Sequence, residues 1–334
     1  MTLVYLGGSI TEGASASPQK THCYAALSAK AFAEKFAADP EKVHYVNAGI
    51  SGTPSRLGIT RLEQDVLSKS PDVVFIEFAV NDANDKQSQM VYESLVRRLL
   101  QSETSPAVVL IFTLLDSGYS CQPHMSKIGA YYDLGMISVK DALQPEFTAG
   151  RMTFRDYSKD YAHPTTEGHD FIARMVGYYF DQAAATEPMP YSMPEEPVIG
   201  NFCENLVNIR QGSPLIKAEG SLKADVTPCY SYLKGWKHTM YTGKEPMVLE
   251  LTGGPLFLVF KQENNPNCGN LEVWVDGTLK KTLNGHSPSA WGNPVTEIIG
   301  IGDVTKPHTV ELRMAEGDHM KNFSLLDLAY VPGK

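Results

Sequence analysis

The sequence predicts two domains: an α/β domain built on a parallel sheet, followed by a β-sandwich or jelly roll. Three observations carry that prediction. Over residues 1–185, short apolar runs alternate with stretches whose apolar residues recur every three or four positions. A proline-rich passage without apolar periodicity, "ATEPMPYSMPEEPVIG", then interrupts the chain, and residues 186–200 read as a linker. From 201 to 334 the runs are short, closely spaced and of strand type, with no helices between them. A length of 334 residues also exceeds one typical domain.

In chain order, "TLVYLGG", "VHYVNAG", "DVVFIEFAV" and "AVVLIFTLL" are β-branched or aromatic runs of strand length, each ending in turn residues. "YAALSAKAFAEKFAA", "RLEQDVLSKS" and "MVYESLVRRLLQS" between them have helical spacing, and "GHDFIARMVGYYFDQAA" reads as the closing helix. Continuous apolar strands separated by helices are those of a parallel sheet covered on both faces. In the second half, "MVLELTG", "LFLVFKQ", "NLEVWVDG", "TLKKTLN", "TVELRM" and "FSLLDLAYV" read as separate strands, with "VDGT" as an Asp-Gly hairpin turn.

Composition narrows the function classes. With 43% hydrophobic and 20% charged residues the chain can bury a core, and a net charge of -9 without basic runs argues against nucleic-acid or anionic-membrane partners. No apolar stretch approaches the roughly 20 residues that span a bilayer. The start "MTLVYLGG" lacks a basic n-region, so no signal peptide is expected. Cys23, Cys121, Cys203, Cys229 and Cys268 are odd in number, widely spaced and without a C-x-x-C pair, which suggests reduced thiols in a cytoplasmic protein.

Four segments carry candidate chemistry. Ser9, in "YLGGSITEG", follows the first strand and precedes a helix, at the carboxyl end of the sheet where α/β proteins hold ligands. It is either a helix cap or a nucleophile. Glycines beside it are expected to leave open space for an attacking oxygen. Gly52, in "NAGISGTPS", follows the second strand and is either an ordinary turn or a backbone N–H aimed at the crevice. Asn81, in "FAVNDAND", ends the third strand, where its amide either caps a helix or donates to an oxyanion. Asp160 and His163, in "SKDYAHPTTEGH", are three apart, a spacing that lets the carboxylate orient the imidazole and stabilise its cation.

In this order the segments resemble the four blocks of the SGNH (GDSL-like) hydrolase superfamily: a Ser near the start, a Gly, a G-x-N-D and a late D-x-x-H. Ala79 stands where the third block usually has Gly. The resemblance implies a flavodoxin-like sheet and cofactor-free, metal-free ester hydrolysis. Ser9 would attack and His163 would move the proton while Asp160 holds the ring. The N–H groups of Ser9 and Gly52, with the Asn81 amide, would bind the oxyanion. Other residues compete for these roles. Asp156 and Asp82 are alternative carboxylates, Ser120 in "GYS" lacks a strand–elbow context, His169 reads as structural, and Glu77 is left open.

The second domain carries "NGHSPSAWGNP", residues 284–294, where Trp291 either stacks on a sugar ring or plugs the end of the sandwich. Trp236 is a second candidate, and Trp274 is expected on the face opposite Val273 and Val275. The two-domain arrangement is similar to bacterial carbohydrate acetylesterases. That likeness implies deacetylation of manno- or xylo-oligosaccharides, with Trp291 and His286 contacting substrate. A lipid or aryl esterase, a thioesterase, or a sugar-binding protein without turnover are the alternatives. A homodimer stays open.

Overall fold

The computed structural model describes residues 1–333 and falls into two compact units, Met1–Glu204 and the chain from Asn205 on. In the first unit β1 (Thr2–Gly7), β2 (His44–Gly49), β3 (Val73–Glu77), β4 (Ala107–Phe112) and β5 (Gly135–Ser138) pair in parallel, in the order β2-β1-β3-β4-β5. Leu3, Val4, Tyr5 and Leu6 of β1 are all fully buried, as expected of a central strand with both faces covered. Helices Tyr24–Phe36 and Thr166–Ala184 pack on the face that presents Leu3, Tyr5, Phe75 and Val109. Strand order reverses between β1 and β3, and a crevice opens at such a switch point beyond the carboxyl ends of the strands. The expected architecture holds. The fifth strand, four residues long, is one that periodicity did not reveal.

The residues read as a linker belong partly to this unit. Glu93, fully buried on helix Lys86–Leu100, accepts hydrogen bonds from the consecutive N–H groups of Val198, Ile199 and Gly200 at 2.6–2.8 Å and from Tyr132 Oη. One turn further on, Arg97 donates to the carbonyls of Pro194 and Glu195 and to the Glu204 carboxylate. Two buried charges four residues apart thus bind the passage as a strap.

The second unit is antiparallel. Its strands are β6 (Val207–Ile209), β7 (Ile216–Ala218), β8 (Lys223–Asp225), β9 (Gly235–His238), β10 (Met247–Glu263), β11 (Asn270–Val275), β12 (Thr278–Asn284), β13 (Trp291–Ile299), β14 (Pro307–Met314) and β15 (Phe323–Pro332). One layer contains β12, β11, β14 and the first part of β10; the other contains the rest of β10 with β13, β15, β9 and β8. Leu249, Val273 and Leu312 of the first layer share a core with Leu258, Phe260 and Leu325 of the second. The stretches read as two strands, "MVLELTG" and "LFLVFKQ", are one strand of 17 residues. It passes from layer to layer at Gly253 and Gly254, whose φ values of 132° and 140° few other residues adopt. Asp276 and Gly277, both at positive φ, form the expected hairpin turn.

Candidate active site

Beyond β1 the chain turns through Gly7 and Gly8 into the short helix Ser9–Glu12. The reason for the glycines differs from the open space expected. A Cβ on Gly7 would fall 2.1 Å from Thr11 Oγ1, and one on Gly8 would fall 2.2 Å from Asn81 Oδ1. The turn is crowded, and the missing side chains are what let Thr11 and the Asn81 amide close on the backbone before Ser9. Ser9 itself is 7% exposed. As the first helical residue, its N–H has no intrahelical acceptor.

Asp160 and His163 reach Ser9 from the far end of the unit. After the strand-like bridge between Ser158 and Pro164, Thr165 caps helix Thr166–Ala184, which fixes the loop that carries them. His163 Nε2 lies 2.9 Å from Ser9 Oγ, and Nδ1 lies 2.7 Å from Asp160 Oδ2. The other carboxylate oxygen of Asp160 accepts the N–H groups of Ala162 and His163, each at 2.7 Å. Burial alone would push this carboxyl up, but those N–H groups and the imidazole hold it down at about 2. An ionised Asp160 keeps the ring proton on Nδ1 and leaves Nε2 free to accept from the serine hydroxyl.

Gly52 and Asn81 border the same turn. Ile50 N donates to Gly7 O, and Ser51 N donates to Glu12 Oε2 at 2.8 Å, so the Gly52 loop is tied to both ends of the Ser9 turn. Asn81 Oδ1 is buried against Gly8. Its own turn is held by Cys121 N donating to Ala79 O, a bond that the alanine in place of glycine leaves intact.

Several supports were not visible as motifs. Buried Arg61 donates to the carbonyls of Gly7 and Ala48, stapling the ends of β1 and β2. Glu77, at the end of β3, accepts from Thr113 Oγ1 at 2.7 Å and from Thr11 Oγ1 at 3.4 Å, and burial pushes its carboxyl up to about 7. Glu77 therefore points into the sheet's interior beneath the Ser9 helix. Burial likewise raises Asp82 to about 7, although Ser55 N donates to it at 2.6 Å. That bond joins the second and third segments.

The competing residues have structural work. Asp156 caps helix Phe154–Tyr157 through Thr153, and the Ser120 hydroxyl accepts from Gln122 N. His169 is fully buried; its Nδ1 accepts from Tyr24 N while Nε2 donates to Ala14 O. Trp291 and His286 lie in the second unit. Trp291 is 60% exposed and begins β13, where a loop was expected. His286 is half-buried, its ring bonded to the Glu263 carbonyl. Trp236 is corrected: it is 1% exposed and belongs to the sandwich core, because β9 turns it inward between β8 and β15. Trp274 faces outward under the Arg313 guanidinium, 3.9 Å from its ring centre, while Val273 and Val275 are buried. Among the described residues no His, Cys, Asp and Glu cluster has metal-binding geometry, and no helix is long and apolar enough to cross a membrane.

The GDSL-like Lipase/Acylhydrolase family model matches residues 5–171. A two-domain esterase active on acetylated mannans, co-crystallized with mannopentaose, is similar over 100% of this chain and 91% of its own, with a TM-score of 0.87 and 28% identity. A second crystal structure described as a two-domain esterase active on acetylated mannans is similar over 99% of this chain and 91% of its own, with a TM-score of 0.86 and 28% identity. No curated protein matches the chain in sequence.

Proposed function

The chain belongs to the GDSL-like lipase and acylhydrolase family, and on that premise we propose that this ester hydrolase removes O-acetyl groups from manno- or xylo-oligosaccharides. The observation that carries the reading is the continuous chain from Asp160 through His163 to Ser9, at 2.7 and 2.9 Å.

The Ser9 oxygen attacks the acetyl carbonyl carbon while its proton passes to His163 Nε2. Asp160, ionised at any ordinary pH, stabilises the imidazolium that forms. Charge develops on the carbonyl oxygen, and the N–H groups of Ser9 and Gly52 with the Asn81 amide are its donors. Collapse expels the sugar hydroxyl, protonated by His163, and leaves an acetyl-serine. Water, deprotonated by the same imidazole, then releases acetate.

Support for a sugar ester comes from the resemblance to the acetylated-mannan esterase at full coverage of this chain. Trp291, exposed at the start of β13 in the second unit, supplies a flat apolar surface suited to a sugar ring, and half-buried His286 precedes it by five residues. The five free cysteines fit a reducing, cytoplasmic setting in which short imported oligosaccharides are the substrate.

The test is acetate release from acetylated manno- and xylo-oligosaccharides by the parent chain and by Ser9→Ala. The parent is expected to release acetate and the variant to be slower by about 10⁴-fold or more. A parent that hydrolyses long-chain acyl esters but no acetylated sugar would overturn the substrate assignment.

A further inference from the structure

The segment between Asp160 and His163 carries an aromatic residue that the hydrolytic steps do not use. Tyr161 is 66% exposed, yet the backbone on either side of it is held. Asp116 N, beyond β4, donates to the Tyr161 carbonyl at 2.9 Å. The Arg155 guanidinium donates to the Asp160 carbonyl and, at 2.5 Å, to the Asp116 carboxylate. Ala162 N donates to the Asp160 carboxylate at 2.7 Å. Both peptide groups bordering Tyr161 are therefore anchored, and a side chain in water stands on a fixed base.

Exposure alone would mean little, since single apolar side chains are common on protein surfaces. Position gives it meaning. The Tyr161 ring lies beside the His163 imidazole, with centroids 6.4 Å apart and planes at 59°. The reaction fixes what must arrive there. His163 Nε2 returns its proton to the oxygen that departs with the alcohol, so that oxygen comes within roughly 3 Å of Nε2. Ser9 and the oxyanion donors occupy the acyl side of the ester. The rest of the alcohol extends away from them, past the imidazole. A methyl group is too small to reach the neighbouring ring. A pyranose offers a face of C–H groups, which an aromatic face meets at about 4 Å while the phenol oxygen stays in water.

We propose that Tyr161 is a leaving-group platform, a specificity-determining residue that stacks on the sugar whose ester is cleaved and so favours cyclic, carbohydrate alcohols over small ones. The proposal rests on the esterase reading and deepens it, by assigning selectivity for the alcohol to the loop that carries the catalytic acid and base. The sugar has gone once the acetyl-serine forms, so the platform acts on acylation and not on the release of acetate. Its effect belongs in kcat/KM.

The test measures kcat/KM for the full chain, Tyr161→Ala and Tyr161→Phe on acetylated mannotriose and xylotriose and on methyl acetate, with folding checked by circular dichroism. The ratio of the sugar ester to methyl acetate is expected to fall about tenfold in Tyr161→Ala. Tyr161→Phe keeps the ring and should keep the parent's ratio. An unchanged ratio in folded Tyr161→Ala, whether both rates fall together or neither does, overturns the platform and leaves the esterase reading standing. An equal fall in Tyr161→Phe assigns the selectivity to the phenol hydroxyl and overturns the stacking role. A parent that cleaves methyl acetate but no acetylated sugar overturns the substrate assignment, and the platform with it.

Discussion

The molecule contains two aspartate–histidine pairs of nearly identical geometry, one in each unit. Asp160 Oδ2 lies 2.7 Å from His163 Nδ1, and Asp276 Oδ2 lies 2.6 Å from His308 Nδ1. What differs is the group facing the second ring nitrogen. His163 Nε2 meets the Ser9 hydroxyl at 2.9 Å, whereas His308 Nε2 meets the Asp303 carbonyl oxygen at 2.9 Å. A carbonyl only accepts, so His308 does best with a proton on both nitrogens, and the Asp276 carboxylate, followed by that carbonyl, raises its pKa. A hydroxyl can donate, so His163 has a use for its neutral form as a base. The carboxylate–imidazole couple is thus not a site in itself. The third group decides whether it clasps a surface loop or moves a proton.

The sharpest test of that contrast is His163→Ala against His308→Ala. The first is expected to reduce acetate release by about 10⁴-fold or more, and the second to leave it at the parent rate. Equal losses would break the comparison. Asp160→Asn should lose roughly 10³–10⁴-fold in kcat, because the amide no longer fixes the ring proton on Nδ1. Asn81→Ala should lower kcat by about 10²–10³-fold with little change in KM, as expected for a donor used chiefly in the transition state. A loss confined to KM would instead make the amide a ground-state contact.

Glu77 extends the contrast to acids, since Asp160 and Glu77 are driven in opposite directions. Burial holds the Glu77 carboxyl at about 7, above its ordinary 4.5. Its folded form favours the proton, so stability is full below about 4.5 and declines as pH rises through about 7, by roughly 3 kcal/mol. Thermal midpoints of Glu77→Gln should decline less than the parent's over that interval. The smallest effect belongs to His308. Its raised pKa contributes stability at acidic pH that is lost as pH rises through the folded value. The gap in thermal midpoint between parent and His308→Ala should therefore narrow with rising pH, and a constant gap would show that packing dominates.

Much of the site was legible because it is written in short, local signals. A strand, two glycines and a serine, or an aspartate three residues before a histidine, place groups through backbone geometry alone. Contacts made across the fold leave no such trace. Arg61 stapling Gly7 and Ala48, and Glu77 gripping Thr11 and Thr113, connect segments far apart in the chain. In the second unit, Gly253-Gly254 reads as a break between strands, yet β10 continues through it because both halves find partners in different layers. Trp236 has the same kind of ambiguity: four residues of alternating burial are too few to say which face is inside.

The strap over helix Lys86–Leu100 has a consequence for how the chain meets proteases. A protease must draw several residues of extended backbone into its cleft, with their amide groups available to it. In the strap the amide hydrogens of Val198, Ile199 and Gly200 are already committed to Glu93, and the carbonyls of Pro194 and Glu195 to Arg97. The exposed residues just before it, Met189 and Tyr191, carry no such commitments from those two side chains. Limited digestion is expected to nick the chain around 186–192 and to spare 194–204. Glu93→Ala, by freeing the three amides, should move cleavage into the protected stretch.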